Sequence, residues 1–147
     1  MVDDSRSAPA QTAIARDEMA ARTRALDWAA TPLGPAAAWP TALAHTVALI
    51  LAARIPMGLR WGRDLVLIYN DAFAPLLNDR HPDAFGQSFA AACPGLQAAF
   101  DGAEQAVLAG DSDGYSAENR AFPGRPGAAA PPAQFKVDLS PIPDAAV

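Results

Sequence analysis

Apolar and polar residues alternate most cleanly near the C-terminal end, where Phe135, Val137 and Leu139 interleave with Lys136, Asp138 and Ser140. That period of two predicts a half-buried antiparallel strand, closed by Pro141 and Pro143. A second strand of weaker character is expected over 115–122, joined to it by a mobile Pro/Gly/Ala-rich connection from Pro123 to Ala133. The runs Met57–Trp61 and Leu65–Tyr69, separated by Gly62-Arg63-Asp64, predict a β-hairpin. Helical spacing governs elsewhere. Leu43, Val47, Ile50 and Leu51 follow Trp39-Pro40 and predict a helix with one buried face and Pro40 in its first turn. Leu96, Phe100, Ala103 and Val107 predict a longer helix from Pro94 to Ala109, stopped by Gly110. Good helix formers fill 12–26, but Ile14, Met19, Ala21 and Leu26 are too irregularly spaced to define a strong stripe. Asn70 and Asp71 cap a short helical segment, Ala72 to Leu77, and His81 to Gly86 forms one further helical turn. Met1 to Ala10 reads as a frayed terminus.

Strands, short helices, a longer helix and strands again give an α+β order, with an antiparallel sheet and helices on one face. The 147 residues suffice for one domain. The hydrophobic fraction of 51% is carried largely by alanine, so bulky core formers are fewer than it suggests and stability is expected to be modest. A net charge of −5 argues against nucleic acid as a partner, because a phosphate-binding face must be basic. The single Cys93 permits no internal disulfide, and no secretory leader pattern opens the chain, so a cytoplasmic location is expected. The apolar stretch from Leu43 to Ala53 falls far short of the about 20 residues that span a bilayer, so no membrane partner is expected.

Several short segments are more specific than this periodicity. Asp27-Trp28, Thr31-Pro32-Leu33-Gly34-Pro35, Trp39-Pro40, Ile55-Pro56-Met57, Trp61-Gly62, Tyr69-Asn70-Asp71-Ala72 and His81-Pro82 with Ala84 and Gly86 resemble a PAS family found at the N-termini of bacterial sensor histidine kinases. The resemblance covers roughly Asp27 to Pro143 and carries the family's D-W-x-x-T-P-L-G-P leader and its Y-N-D-A signature. It implies a PAS-like antiparallel sheet with an N-terminal helical extension. Residues 1–26 are then a disordered terminus and helix, and 27–147 the sensory domain. Two departures stand out. Ala91-Ala92-Cys93-Pro94-Gly95-Leu96 keeps only the proline of the family's V-W-P-E-x-W-like segment, and only five residues follow Ser140-Pro141-Ile142, so a final edge strand is expected to be missing. Phosphotransfer and ATP-binding segments are absent from this sequence.

The resemblance implies a sensory and relay module of two-component signalling, a homodimer that acts on an output histidine kinase or other signalling protein and is not itself an enzyme. A ligand or cofactor carrier and a truncated remnant of a longer kinase are the alternatives. Neither the ligand nor any cofactor is named by the sequence. A curved sheet facing short helices can enclose a cavity, and its candidate lining is Met57, Leu59, Leu67, Tyr69, Phe73, Leu77, Phe100, Phe135 and Val137, residues that fill a plain core equally well. Trp28, Trp39 and Leu43 are candidates to pin the N-terminal extension onto the domain or onto a second subunit. Cys93 lacks the G-x-N-C-R-F-L-Q context of flavin-binding relatives. His81 reads as a turn or surface residue rather than a haem ligand, and His45 as a partly buried helix residue. One cysteine and two distant histidines make no metal set, and Asp111-Ser112-Asp113-Gly114 lacks the later ligands of a calcium loop and reads as a turn. No catalytic Ser-His-Asp or Cys-His pattern is present.

Overall fold

Helix α1 (Glu18–Ala25), helix α2 (Thr41–Ala52), strands β1 (Gly58–Trp61) and β2 (Val66–Tyr69), helices α3 (Phe89–Ala92) and α4 (Pro94–Leu108), and strands β3 (Tyr115–Ala121) and β4 (Gln134–Leu139) follow one another along the chain. The computed structural model describes residues 17–110, 115–121 and 134–142. Short 3-10 helices at Trp28–Ala30, Ala36–Ala38 and Ala74–Arg80 complete this α+β order. The expected terminus at 1–10, the turn at 111–114 and the connection at 123–133 lie outside the described residues.

With only eight residues, α1 is too short to hold itself together. Burial fixes it: Met19 is 0% exposed and belongs to the main core. The first residues of the expected 12–26 helix lie outside the described part, and α1 is integral to the domain. The leader that follows is tied by its own side chains. Trp28 is buried and donates from Nε1 to Thr23 O (2.8 Å), Thr31 Oγ1 donates to Trp28 O (2.7 Å), and Trp39 Nε1 donates to Gly34 O (3.1 Å). In α2, Leu43, Val47 and Ile50 are buried at intervals of four and three. Pro40 stands one residue earlier than expected, as the N-cap, where its fixed φ of −55° needs no helical partner. His45 projects from the other side of this helix and is exposed, not partly buried as expected.

The hairpin forms where expected, but with a longer turn. Gly62 to Leu65 make a four-residue loop closed by Leu65 N–H donating to Gly62 O (3.1 Å), with φ of 77° at Gly62 and 51° at Leu65. The resulting register pairs Trp61 with Val66, Arg60 with Leu67 and Leu59 with Ile68. Strand β2 is paired on both edges, with β1 on one side. On the other, Gly86 N–H donates to Leu67 O, Leu67 N–H to Gln87 O and Phe89 N–H to Leu65 O (2.8–2.9 Å). Every residue of β2 is buried, and Leu67, Ile68 and Tyr69 belong to the main core.

Pro94 opens α4 at its first turn, and Gly110, at φ 77°, follows its end as a helix-stopping glycine should. Strands β3 and β4 pair antiparallel with an irregularity between Ala117 and Arg120. The expectation of one continuous antiparallel sheet is corrected here: among the described residues, β1–β2 and β3–β4 are two separate two-stranded sheets. Among the described residues, the edge of β1 away from β2 and the edge of β4 away from β3 carry no ladder, and residues of β1 and β4 line a common cleft. No helix among the described residues is long and apolar enough to cross a membrane.

Gly86 is the glycine on which local packing turns. Its φ is 81°, and a Cβ built there would stand 2.6 Å from Leu26 Cδ2. Gly86→Ala is expected to lower stability by about 1–2 kcal/mol from the left-handed backbone alone, with the Leu26 clash adding to it. Urea denaturation should show a lower midpoint at unchanged slope.

Candidate functional site

On the face of β1 that carries Gly58 and Arg60 lies a cleft of about 510 Å³, within the size range of small-molecule sites. Its walls are Met57, Leu67, Phe73, Leu76, Phe89 and Phe100, with Lys136, Asp138 and Leu139 from β4 across it and Ile55 and Pro56 at the side. Ile55 is 67% exposed, so apolar surface continues outward from the cleft.

The polar feature of the cleft is Arg60. Its guanidinium lies 4.6 Å over the Phe89 ring, a cation–π contact, and Nη1 stands 2.7 Å from Glu104 Oε1. The side chains of Arg60 and Glu104 are only 14% and 6% exposed, which makes this a buried ion pair. Burial pulls the guanidinium pKa down, and the Glu104 charge opposes that. Gln97 Nε2 donates to Glu104 Oε2 (3.2 Å), which holds the carboxylate from the other side. Glu104 falls on the apolar face of α4, four residues after Phe100 and three before Val107, both buried. At the rim, Lys136 Nζ and Asp138 Oδ1 are 3.8 Å apart, both side chains well exposed.

A second polar cluster joins the hairpin to α1. Tyr69 Oη hydrogen-bonds His81 Nδ1 (2.9 Å), and His81 Nε2 contacts Glu18 Oε1 (3.0 Å), which also accepts from Arg22 Nε (2.8 Å). Burial raises the Tyr69 phenol pKa, so it stays protonated. Both ring nitrogens of His81 are thus engaged, and the turn residue is a clamp on α1. Asp71 Oδ1 accepts from Met19 N–H (3.0 Å), so the N-terminus of α1 is capped by a residue 52 positions away, while its own N-cap residue, Asp17, makes no side-chain cap. The Asp71 carboxyl is pushed up by burial and by Glu18 and Asp17, against the lowering effect of the Met19 N–H. Asp71→Ala is therefore expected to cost about 1 kcal/mol through loss of the cap, whereas Asp71→Asn, which keeps the acceptor and removes the crowded charge, should be slightly more stable than wild type at neutral pH. A pKa raised in the fold favours stability below the unfolded pKa and costs it as pH rises through the folded value. The difference between wild type and Asp71→Asn should accordingly shrink on acidification, as read by denaturation at successive pH values.

Of the expected lining, Met57, Leu67, Phe73 and Phe100 come together in the cleft. Leu59 and Leu77 are buried in the core instead, and Tyr69 is buried with its hydroxyl on His81. The side chains of Phe135 and Val137 lie outside the described residues. Trp28 and Leu43 are buried within this chain, and the Trp28 ring meets Trp39 (4.9 Å) and Phe85 (5.7 Å) edge-on. They pin the leader onto its own domain. Asn70, expected as a helix cap, accepts at Oδ1 from Phe73 N–H (3.0 Å) and Met57 N–H (3.1 Å) and also donates from Nδ2 to Ile50, Ala53 and Ile55 carbonyls. Asp71 caps α1 rather than the segment that follows it. Burial pushes the Cys93 thiol pKa up, only partly offset by Arg80, so the thiol is not activated.

Sequence reasoning missed Arg60, Glu104, Leu76 and Phe89. A charged residue inside the apolar run Met57–Trp61 was one available signal, and Glu104 between Phe100 and Val107 was another. Comparison of the chain with protein-family models, with curated proteins and with solved structures gives no match.

Proposed function

We propose that this chain is a PAS-type sensory and signal-relay module of bacterial two-component signalling, which works in the cytoplasm as a dimer and passes the state of its cleft to an output kinase. The observation that carries this reading is the cleft of about 510 Å³, walled by apolar side chains around one buried ion pair. An apolar cavity with few fixed polar groups suits recognition of a small molecule. A contiguous set of contacts leads from it to α1: Phe73 lines the cleft and packs on Tyr69 (5.7 Å), Tyr69 bonds His81, and His81 meets Glu18. Such a path supports relay only if the two ends are energetically coupled. The residues that resemble the PAS leader and the Y-N-D-A signature build this frame. Trp28 and Gly34 hold the leader, Asn70 ties three segments together, and Asp71 caps α1.

Native mass spectrometry of the purified chain, with an absorption spectrum of the same sample, tests the reading. A dimer, with a retained small molecule or with binding of an added apolar one, is the expected result. A monomer that binds none would overturn it.

A further inference from the structure

We infer that the cleft takes a neutral apolar molecule bearing one hydrogen-bond acceptor, such as a ketone or ester, held by the Arg60 guanidinium; this rests on the ligand-binding reading above. Charge balance decides the class. Arg60 brings one positive charge to the cleft, but Glu104 already compensates it at 2.7 Å, and the Lys136 and Asp138 charges at the rim cancel one another. The site is therefore close to neutral. A carboxylate entering it would compete with Glu104 for Arg60 and leave one negative charge uncompensated where water screens poorly. A cation would be repelled by Arg60 itself. The guanidinium nonetheless keeps donors to spare: Nη1 is closed off beside Glu104 at 2.7 Å, but Arg60 lines the cleft with its side chain 14% exposed, which leaves other N–H groups of the fork for a ligand. A guanidinium has five N–H groups, and a carbonyl oxygen can accept from one without disturbing the ion pair. Phe89 holds the guanidinium plane from one face. Met57, Leu67, Phe73, Leu76 and Phe100 offer the rest of the ligand an apolar bed.

The test compares two seven-carbon probes, 2-heptanone and heptanoate, titrated at neutral pH into the whole chain and followed by shifts of its amide and Arg60 Nε–H resonances. The ketone is expected to bind at least about tenfold more tightly than the carboxylate, a difference of about 1.4 kcal/mol, with shifts centred on Arg60, Leu67 and Phe89. The double variant Arg60→Met, Glu104→Leu, which keeps the site neutral and fills it with apolar groups, should lose about tenfold in ketone affinity. Tighter binding of heptanoate would overturn the assigned class while leaving the cleft a binding site. Unchanged ketone affinity in a folded double variant would overturn Arg60 as the anchor. Failure of both probes to bind the wild-type chain would remove the inference together with the reading on which it rests.

Discussion

Asn70→Ala should cost this protein about 3–5 kcal/mol, a large part of the stability of an ordinary domain. Asn70 is 1% exposed and makes five hydrogen bonds to backbone groups of three segments. The carbonyls of Ile50 and Ala53, at the end of α2, and of Ile55 accept from Nδ2, while the N–H groups of Met57 and Phe73 donate to Oδ1. Removing the amide takes this partner from Met57 N–H and from the Ala53 and Ile55 carbonyls, while Ile50 O keeps Ala53 N–H and Phe73 N–H keeps the Asn70 carbonyl. Asn70→Asp is the sharper variant, since it places a carboxylate oxygen against the three carbonyls that now receive Nδ2. It should be at least as damaging as alanine at neutral pH. Burial and the facing carbonyls raise the pKa of the introduced carboxyl in the fold, so its penalty is relieved as pH falls through that raised value. Urea midpoints at several pH values measure both effects. Asn70→Asp with wild-type stability at pH 7 would mean that the Nδ2 bonds contribute nothing.

The second large effect concerns Arg60 and Glu104. Glu104→Leu leaves a guanidinium buried without its counter-ion and should cost about 3–5 kcal/mol, and Arg60→Met should do similar harm by stranding the carboxylate. Replacing both should restore most of the loss, because two apolar side chains of similar size avoid the desolvation that the ion pair must offset. The double-mutant cycle reads this directly. Additive losses would show that the two groups do not act as a pair.

How far the sequence foretold this site is clearest in the first hairpin. Both strands were legible from their apolar runs, as was α4 from Pro94 and Gly110. Which face of β1 meets the cleft was not. A three-residue turn at Gly62-Arg63-Asp64 would place Leu59 opposite Leu67 and Met57 opposite Tyr69. The loop takes Leu65 as well, in a left-handed conformation rare for a residue with a side chain, and the register moves by one. Such a slip turns every side chain of a strand to the other face. Leu59 therefore goes to the core opposite Ile68, and Arg60 comes to the cleft opposite Leu67. Glu104 was invisible for a different reason: a carboxylate on a helical apolar face makes sense only once its distant partner is known. The signature Asn70-Asp71 was read as a local cap, but Asp71 acts on α1, and no local pattern announces a cap supplied from 52 residues away.

Relay from the cleft to α1 is the central claim, and hydrogen exchange of the α1 amides tests it most directly. With 2-heptanone saturating the cleft, protection across Glu18–Ala25 is expected to change in the wild-type chain, and the change should vanish in Tyr69→Phe, which removes the hydroxyl bonded to His81. Exchange that changes only around Leu67, Phe73 and Phe89, with α1 unaffected, would contradict relay and leave a binding domain without output through this helix.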